Sequence, residues 1–247
     1  MKKSFLIYLV MLASTLNFFA QSNDSKGKNK IEFDTINLNY ESGDLKFQFE
    51  IINGKQHNYP SFAIWIENMD EKLLNELFVT QSVATGIFRY GAVSGGKWVA
   101  GERRYTAALP YFFHKKNLKG IPPDSKNPLP DAITGATVGN NLLLKTSIKN
   151  DKLLDKFRII LEVNQPWDFN DFWHNAKFGD DDDYKSSAQP SLVYAVTVDL
   201  KNPMDEYFLN PIGHGHFSGK DGNLYTDLSS FTTALDIFRQ IKVKIVK

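Results

Sequence analysis

Few residues in this chain are equipped for chemistry. The segment Asp131-Ala132-Ile133-Thr134-Gly135-Ala136-Thr137 follows Pro128 and Pro130 and is built mostly of small residues. Gly135 and Ala136 leave its backbone open, so that the active site of another protein can close around Thr137. That threonine offers a hydroxyl nucleophile, weak until an external base or metal activates it. Asp131 is a candidate to orient the segment or to meet that metal. The plainer reading is a tight turn in which Thr137 caps a strand. His214-Gly215-His216 is a second candidate, because alternate residues of a strand point the same way and two imidazoles can chelate one ion. No third ligand is fixed nearby by the sequence, and the flanking glycines favour a loop. The run Trp167-Asp168-Phe169-Asn170-Asp171-Phe172-Trp173 is denser in aromatics than a surface loop needs. Trp167 and Trp173 are candidates to stack a planar ligand, although a corner folded onto the core is the preferred reading. Gly91 to Lys97 matches the start of a phosphate-binding loop, but Trp98 stands where a Ser or Thr should bind magnesium, so a Gly-rich hairpin is expected. Asp180 to Asp183 lacks the alternating spacing of a calcium loop and reads as a solvated run. No Ser, His and Asp arrangement with a nucleophile elbow supports a hydrolase.

The elements that must hold these residues follow from composition and periodicity. The 247 residues carry a net charge of +1, with 42% hydrophobic and 23% charged residues, so there is no basic field for nucleic acid and no sign of general disorder. Cysteine is absent, which excludes disulfides, thiol catalysis, thiolate metal sites and a lipid-anchored cysteine. Lys2 and Lys3 precede an apolar run from Phe5 to Phe19, and Ala20 precedes a polar linker, Gln21 to Lys30. This pattern predicts a signal peptide, residues 1–20, cleaved near Ala20, with export to the periplasm or beyond. A retained anchor is the competing reading, but the run is short for a span.

Alternation of apolar and polar residues predicts strands over 45–51, 61–67, 142–148, 157–163 and 192–200, with weaker candidates at 73–81 and 97–103. Phe231, Ala234, Leu235, Phe238 and Ile241 follow helical spacing, and Ile241, Val243 and Ile245 then alternate as a last strand. Nineteen Phe, ten Tyr and four Trp suit a β-rich core. Residues 31–247 are therefore expected to form one mainly β domain, an antiparallel β-sandwich of immunoglobulin or fibronectin-like kind with one short C-terminal helix. The proline-interrupted stretch 104–140 is expected to leave the sheet as a long excursion.

The seven residues from Asp131 to Thr137 resemble the D-x-x-[ST]-G-A-T motif at which periplasmic flavin transferases attach FMN, and every specified position is matched. In subunits of sodium-pumping NADH:quinone oxidoreductases and related complexes, the last threonine of that motif carries FMN as a phosphoester. The resemblance implies FMN on Thr137, with Asp131, Thr134, Gly135 and Ala136 forming the recognised segment. Phe62 to Asn68, Leu161 to Gln165, Gln189 to Tyr194 and Thr232 to Ala234 resemble the predicted periplasmic proteins of the domain of unknown function 2271 family. That likeness extends over most of residues 45–245. Members of that family tend to carry a TGAT-like segment at this place. Some occur with membrane PepSY-type reductase domains and flavin transferases, which implies a flavin-linked redox role. Ala188 departs from the family pattern, where Gly precedes the Gln-Pro pair. The expectation is an exported electron carrier or accessory protein rather than a stand-alone enzyme. The alternatives are a cofactor-free binding module and a metal-binding protein using His214 and His216.

Overall fold

The polypeptide alternates inward apolar and outward polar residues along strands that pair into two facing sheets. The computed structural model describes residues 31–118, 122–129, 134–135, 139–149 and 155–246, and Glu32–Lys247 forms one compact unit. The expected signal peptide and linker lie outside the described residues. In chain order the strands are β1 (Phe33–Leu38), β2 (Leu45–Asn53), β3 (Ser61–Glu67), β4 (Leu73–Thr80), β5 (Ile87–Ser94), β6 (Lys97–Glu102), β7 (Thr134–Gly135), β8 (Asn141–Ile148), β9 (Lys156–Asn164), β10 (Leu192–Asp199), β11 (Tyr207–Phe208), β12 (Asn210–His214) and β13 (Phe238–Val246). Three short helices join them: α1 (Gln81–Thr85), α2 (Pro110–Lys115) and α3 (Asp182–Ser187). One sheet has the order β1-β8-β2-β13-β11 and the other β12-β10-β9-β3-β4-β7, while β5 and β6 form a separate two-stranded sheet. The β1–β8 and β4–β7 pairs are parallel, and the other pairs are antiparallel. The fold is the expected β-sandwich. Among the described residues, no helix is long and apolar enough to cross a membrane.

Between the sheets, Leu45, Phe47, Phe49 and Ile51 of β2 meet Phe157, Ile159, Leu161 and Val163 of β9 in one core, with Phe47 edge-on to Phe157 at 6.4 Å. The outer face of the six-stranded sheet is buried too. Ala63, Trp65, Val79, Ile160 and Val193 pack there against Leu109, Phe112, Phe113 and Leu129. Within 104–140, the segments around Leu109 to Phe113 and Leu129 therefore form a third layer laid on the sheet, and Thr134–Gly135 joins the sheet edge, rather than making an excursion away from it. Apolar residues on both faces of β3 and β9 required such a cover.

That second core contains a carboxylate. Glu162 falls on the outward face of β9 and is fully buried. It accepts hydrogen bonds from the backbone N–H of Phe112 (2.7 Å) and Tyr111 (3.1 Å) and from Ser191 Oγ (2.6 Å). Pro110 opens α2 without an N–H, so Glu162 takes two of the helix's free donors and fixes the helix on the sheet. Burial pushes its carboxyl up to about 7, and the three donors offset only part of that rise.

The predicted C-terminal helix is a single 3-10 turn, Thr233–Asp236, and Phe238 and Ile241 belong to β13 instead. A register shift between Phe238 and Gln240 lets residues three apart both face inward. The bulge thereby reproduces a helical spacing inside a strand.

Candidate functional site: an aromatic cleft beside the TGAT segment

The edge of the six-stranded sheet holds the described part of the predicted motif. The backbone of Thr134 and Gly135 forms β7, with Thr134 beside Val79 and Gly135 beside Thr80 of β4. Asp131, Ala136 and Thr137 lie outside the described residues. The chain on either side is anchored. Leu129 N–H donates to Ala84 O of α1 (2.9 Å), and Asn53 Nδ2 donates to Gly139 O (3.1 Å). A Cβ on Gly139 would stand 2.9 Å from the Tyr59 hydroxyl, so a larger residue there would push the Tyr59 ring aside.

Beside this segment opens a cleft of about 560 Å³, lined in part by Tyr59, Ser82, Phe88, Arg89, Tyr105 and Trp167. Ser82 comes from α1, directly after the β4 strand that pairs with β7. Tyr59 is the neighbour of Gly139. Phe88 and Arg89 come from β5, which pairs with β6 through the two-residue turn Gly95-Gly96, both at positive φ. This is the Gly-rich hairpin expected in place of a phosphate loop. The hairpin is unusually apolar for its exposure: Ile87, Tyr90, Val93, Trp98 and Val99 all reach solvent. Phe88 meets Tyr105 edge-on at 4.6 Å, and Trp98 meets Trp167 edge-on at 6.4 Å. Two cations stand among the rings. Arg89 lies 5.3 Å from the Tyr90 centroid and 5.7 Å from that of Tyr59. Arg103 lies 5.1 Å from Tyr105, 5.4 Å from Trp98 and 5.8 Å from Trp167. Burial pushes the Tyr105 hydroxyl up, and the Arg103 charge opposes that rise.

Two cleft rings are carried on left-handed backbone, Tyr59 at φ 50° and Trp167 at φ 66°. For bulky side chains this conformation costs energy and persists only where the surroundings enforce it. Here the enforcing contacts are visible. Gln165 Oε1 accepts from Asn58 N–H (2.7 Å), which ties the Tyr59 loop to the Trp167 loop, and Trp167 N–H donates to Ser186 O (3.3 Å).

The structure separates the two tryptophans predicted as a stacking wall. Trp167 is 50% exposed and lines the cleft. Trp173 is 6% exposed and belongs to the main core, where its ring packs against Tyr184, Phe217 and Phe231 and its Nε1 donates to Ser230 Oγ (3.1 Å). Only Trp167 is therefore available to a ligand. Between them, Gln189 fastens the loop. Its Nε2 donates to Asp168 O and Thr233 Oγ1, and its Oε1 accepts from Asn170 Nδ2 and Thr232 N–H. Ala188 adopts φ 69°, a conformation that favours glycine.

His214 and His216 are each engaged by neighbouring groups. His214 is packed between Tyr225 and Phe231, with ring centroids at 5.3 and 5.0 Å, and its Nδ1 is 2.7 Å from Gly215 O. His216 stacks on Phe217, and its Nδ1 accepts from Ser218 N–H (3.1 Å). Burial lowers the proton affinity of both rings. Among the described residues, no group of three or more His, Asp or Glu is placed to hold a metal ion. The acidic run has a structural use: Asp181 caps α3 by accepting from Tyr184 N–H (3.0 Å) and pairs with Lys220.

Sequence reasoning missed Tyr59, Arg89, Arg103 and Tyr105. The available clue was the alternation of cations and aromatics in Phe88-Arg89-Tyr90 and Arg103-Arg104-Tyr105, on either side of a two-glycine turn. Compared with known family models, curated proteins and solved structures, the chain matches none.

Proposed function

We propose that this chain is an exported electron carrier that holds FMN as a phosphoester on Thr137, with the flavin ring resting against Trp167 in the cleft. The observation that carries the reading is the complete motif together with the surroundings of its described flanks. Gly135 lies beside Thr80, two residues before the cleft residue Ser82, and Gly139 abuts the cleft residue Tyr59. The cleft suits the group. Its volume falls within the ~300–1,000 Å³ of small-molecule sites, its walls are aromatic, and it contains a cation. In attachment, the Thr137 Oγ–P bond forms as the bond between the FMN phosphate and the leaving group of an activated donor breaks, and the hydroxyl proton passes to a base of the transferase. When bound, the flavin supplies one- and two-electron transfer. The chain tethers the ring, offers it Trp167 and keeps it near the surface. A periplasmic flavin transferase is the required partner, and a membrane PepSY-type reductase is the proposed redox partner.

Intact-protein mass after co-expression with a flavin transferase tests this directly. An FMN-sized gain is expected, mapping to the peptide that contains Thr137 and lost in Thr137→Ala. An unmodified mass, with the transferase shown active on a known acceptor, overturns the reading and leaves a cofactor-free binding module in front.

A further inference from the structure

The hairpin brings to the cleft a charge that packing does not require. Arg89 is exposed and held over Tyr59 and Tyr90, and among the described residues no Asp or Glu lines the cleft. Arg103 lies against two rings of the lining, Tyr105 and Trp167. Among the described residues, the arginines engaged in ion pairs are Arg104 and Arg158, not these two. The aromatic faces therefore favour a flat ring, while two guanidinium groups with no ion pair to a described residue favour negative charge on it.

We propose that Arg89, backed by Arg103, makes the cleft select a planar ring that carries negative charge, so that a flavin seated there is held more tightly reduced than oxidised. The redox consequence rests on the flavin reading above, whereas the charge preference of the cleft does not. Adding two electrons and one proton to the neutral oxidised ring leaves it with one negative charge, which the guanidinium groups stabilise. The electrons come from the reduced redox partner, or from dithionite in the test, with sulfite as the oxidised product. A tenfold tighter hold on the reduced ring raises its midpoint potential by about 30 mV for a two-electron couple. The carrier thus becomes a better electron acceptor than free flavin, and Arg89 sets the direction in which it is charged.

The test uses the full unmodified chain, made without a transferase, with free riboflavin as the probe. Anaerobic equilibrium dialysis at pH 8 compares oxidised riboflavin with dithionite-reduced riboflavin. The reduced form is expected to bind at least tenfold more tightly. Arg89→Gln should bring the ratio of the two dissociation constants close to one, and Arg89→Lys should keep most of it. Lys145→Gln, far from the cleft lining, should leave the ratio unchanged. Because Arg89 is exposed, its variants are expected to fold, which circular dichroism checks. Equal affinity for the two forms, a ratio that survives in Arg89→Gln, or no binding of either form overturns the proposal. The mass experiment reports attachment independently, so failure of the charge preference and failure of the flavin reading are distinguishable.

Discussion

Trp167 and Trp173 lie six residues apart in one aromatic run, yet the fold uses them in opposite ways. Trp173 has its indole N–H satisfied by Ser230 and its faces covered by Tyr184, Phe217 and Phe231. Trp167 is presented to solvent on left-handed backbone, with Arg103 against it and no hydrogen bond from its indole to a described residue. The first arrangement is what packing produces when it is free to optimise. The second is a ring held out at a conformational cost by Gln165, Ser186 and the Gln189 clamp. Density of aromatics in a sequence therefore does not indicate a binding surface. The backbone each ring sits on, and whether its polar edge is already used, does.

The sharpest way to break this contrast is to truncate each ring. Trp173→Ala should cost roughly 3–5 kcal/mol, because it opens a cavity in the main core and strands Ser230 Oγ. Trp167→Ala should change stability by less than about 1 kcal/mol while weakening riboflavin binding in both oxidation states. Urea denaturation followed by far-ultraviolet circular dichroism measures both. Equal losses would mean that Trp167 is a packing residue after all.

The next largest effect concerns the other buried polar feature beneath this region, Glu162. Its carboxyl keeps its proton to about pH 7 in the folded chain but releases it near 4.5 when unfolded. Stability from this group is complete below about pH 4.5, falls as pH rises, and levels off above about 7. The full change is up to about 3 kcal/mol. His214 and His216, whose proton affinity is lowered by folding, act in the opposite sense and weaken the fold as pH drops below their unfolded value. Comparing the chain with Glu162→Gln isolates the carboxyl: wild type should lose stability relative to the variant between pH 5 and 7.5. Parallel urea midpoints across that range would show that the three donors hold Glu162 ionised throughout.

The smallest effect sharpens the comparison at the loop's left-handed residues. Ala188→Gly removes strain at φ 69° and should leave stability unchanged or raise it by up to about 1 kcal/mol. The same exchange at Ala63, equally buried but in the middle of β3, should cost about 1 kcal/mol. Differential scanning calorimetry of the pair checks this, and a loss at 188 as large as at 63 would contradict it.

Most of the sandwich was legible in the sequence because its strands present one apolar face and alternate strictly. Leu45 to Ile51 and Phe157 to Val163 are the clearest cases. What alternation cannot report is the destination of the outward face. Trp65 and Ile160 indicated a second buried surface, but nothing local showed that Phe112 and Phe113, across a proline-rich stretch, would cover it. Phe238 and Ile241 misled for a different reason, since a bulge in β13 changes the period from two to three at one point. The cleft was the least legible part. Tyr59, Arg89, Tyr105 and Trp167 come from four separate segments, which only the tertiary fold brings together.

The strand order has a consequence for how the chain matures. At the centre of the five-stranded sheet, β2 lies between β8 and β13, and β13 is the last described strand in chain order. At a synthesis rate of ~5–20 residues per second, β2 therefore waits roughly 10–40 seconds for its second neighbour. Throughout that interval, Phe47 and Phe49 belong to a nascent chain that cannot close its own core. Such a delay leaves the sheet open beside β2 until β13 is made, so closure of this core depends on a strand distant in the sequence rather than on its immediate neighbours.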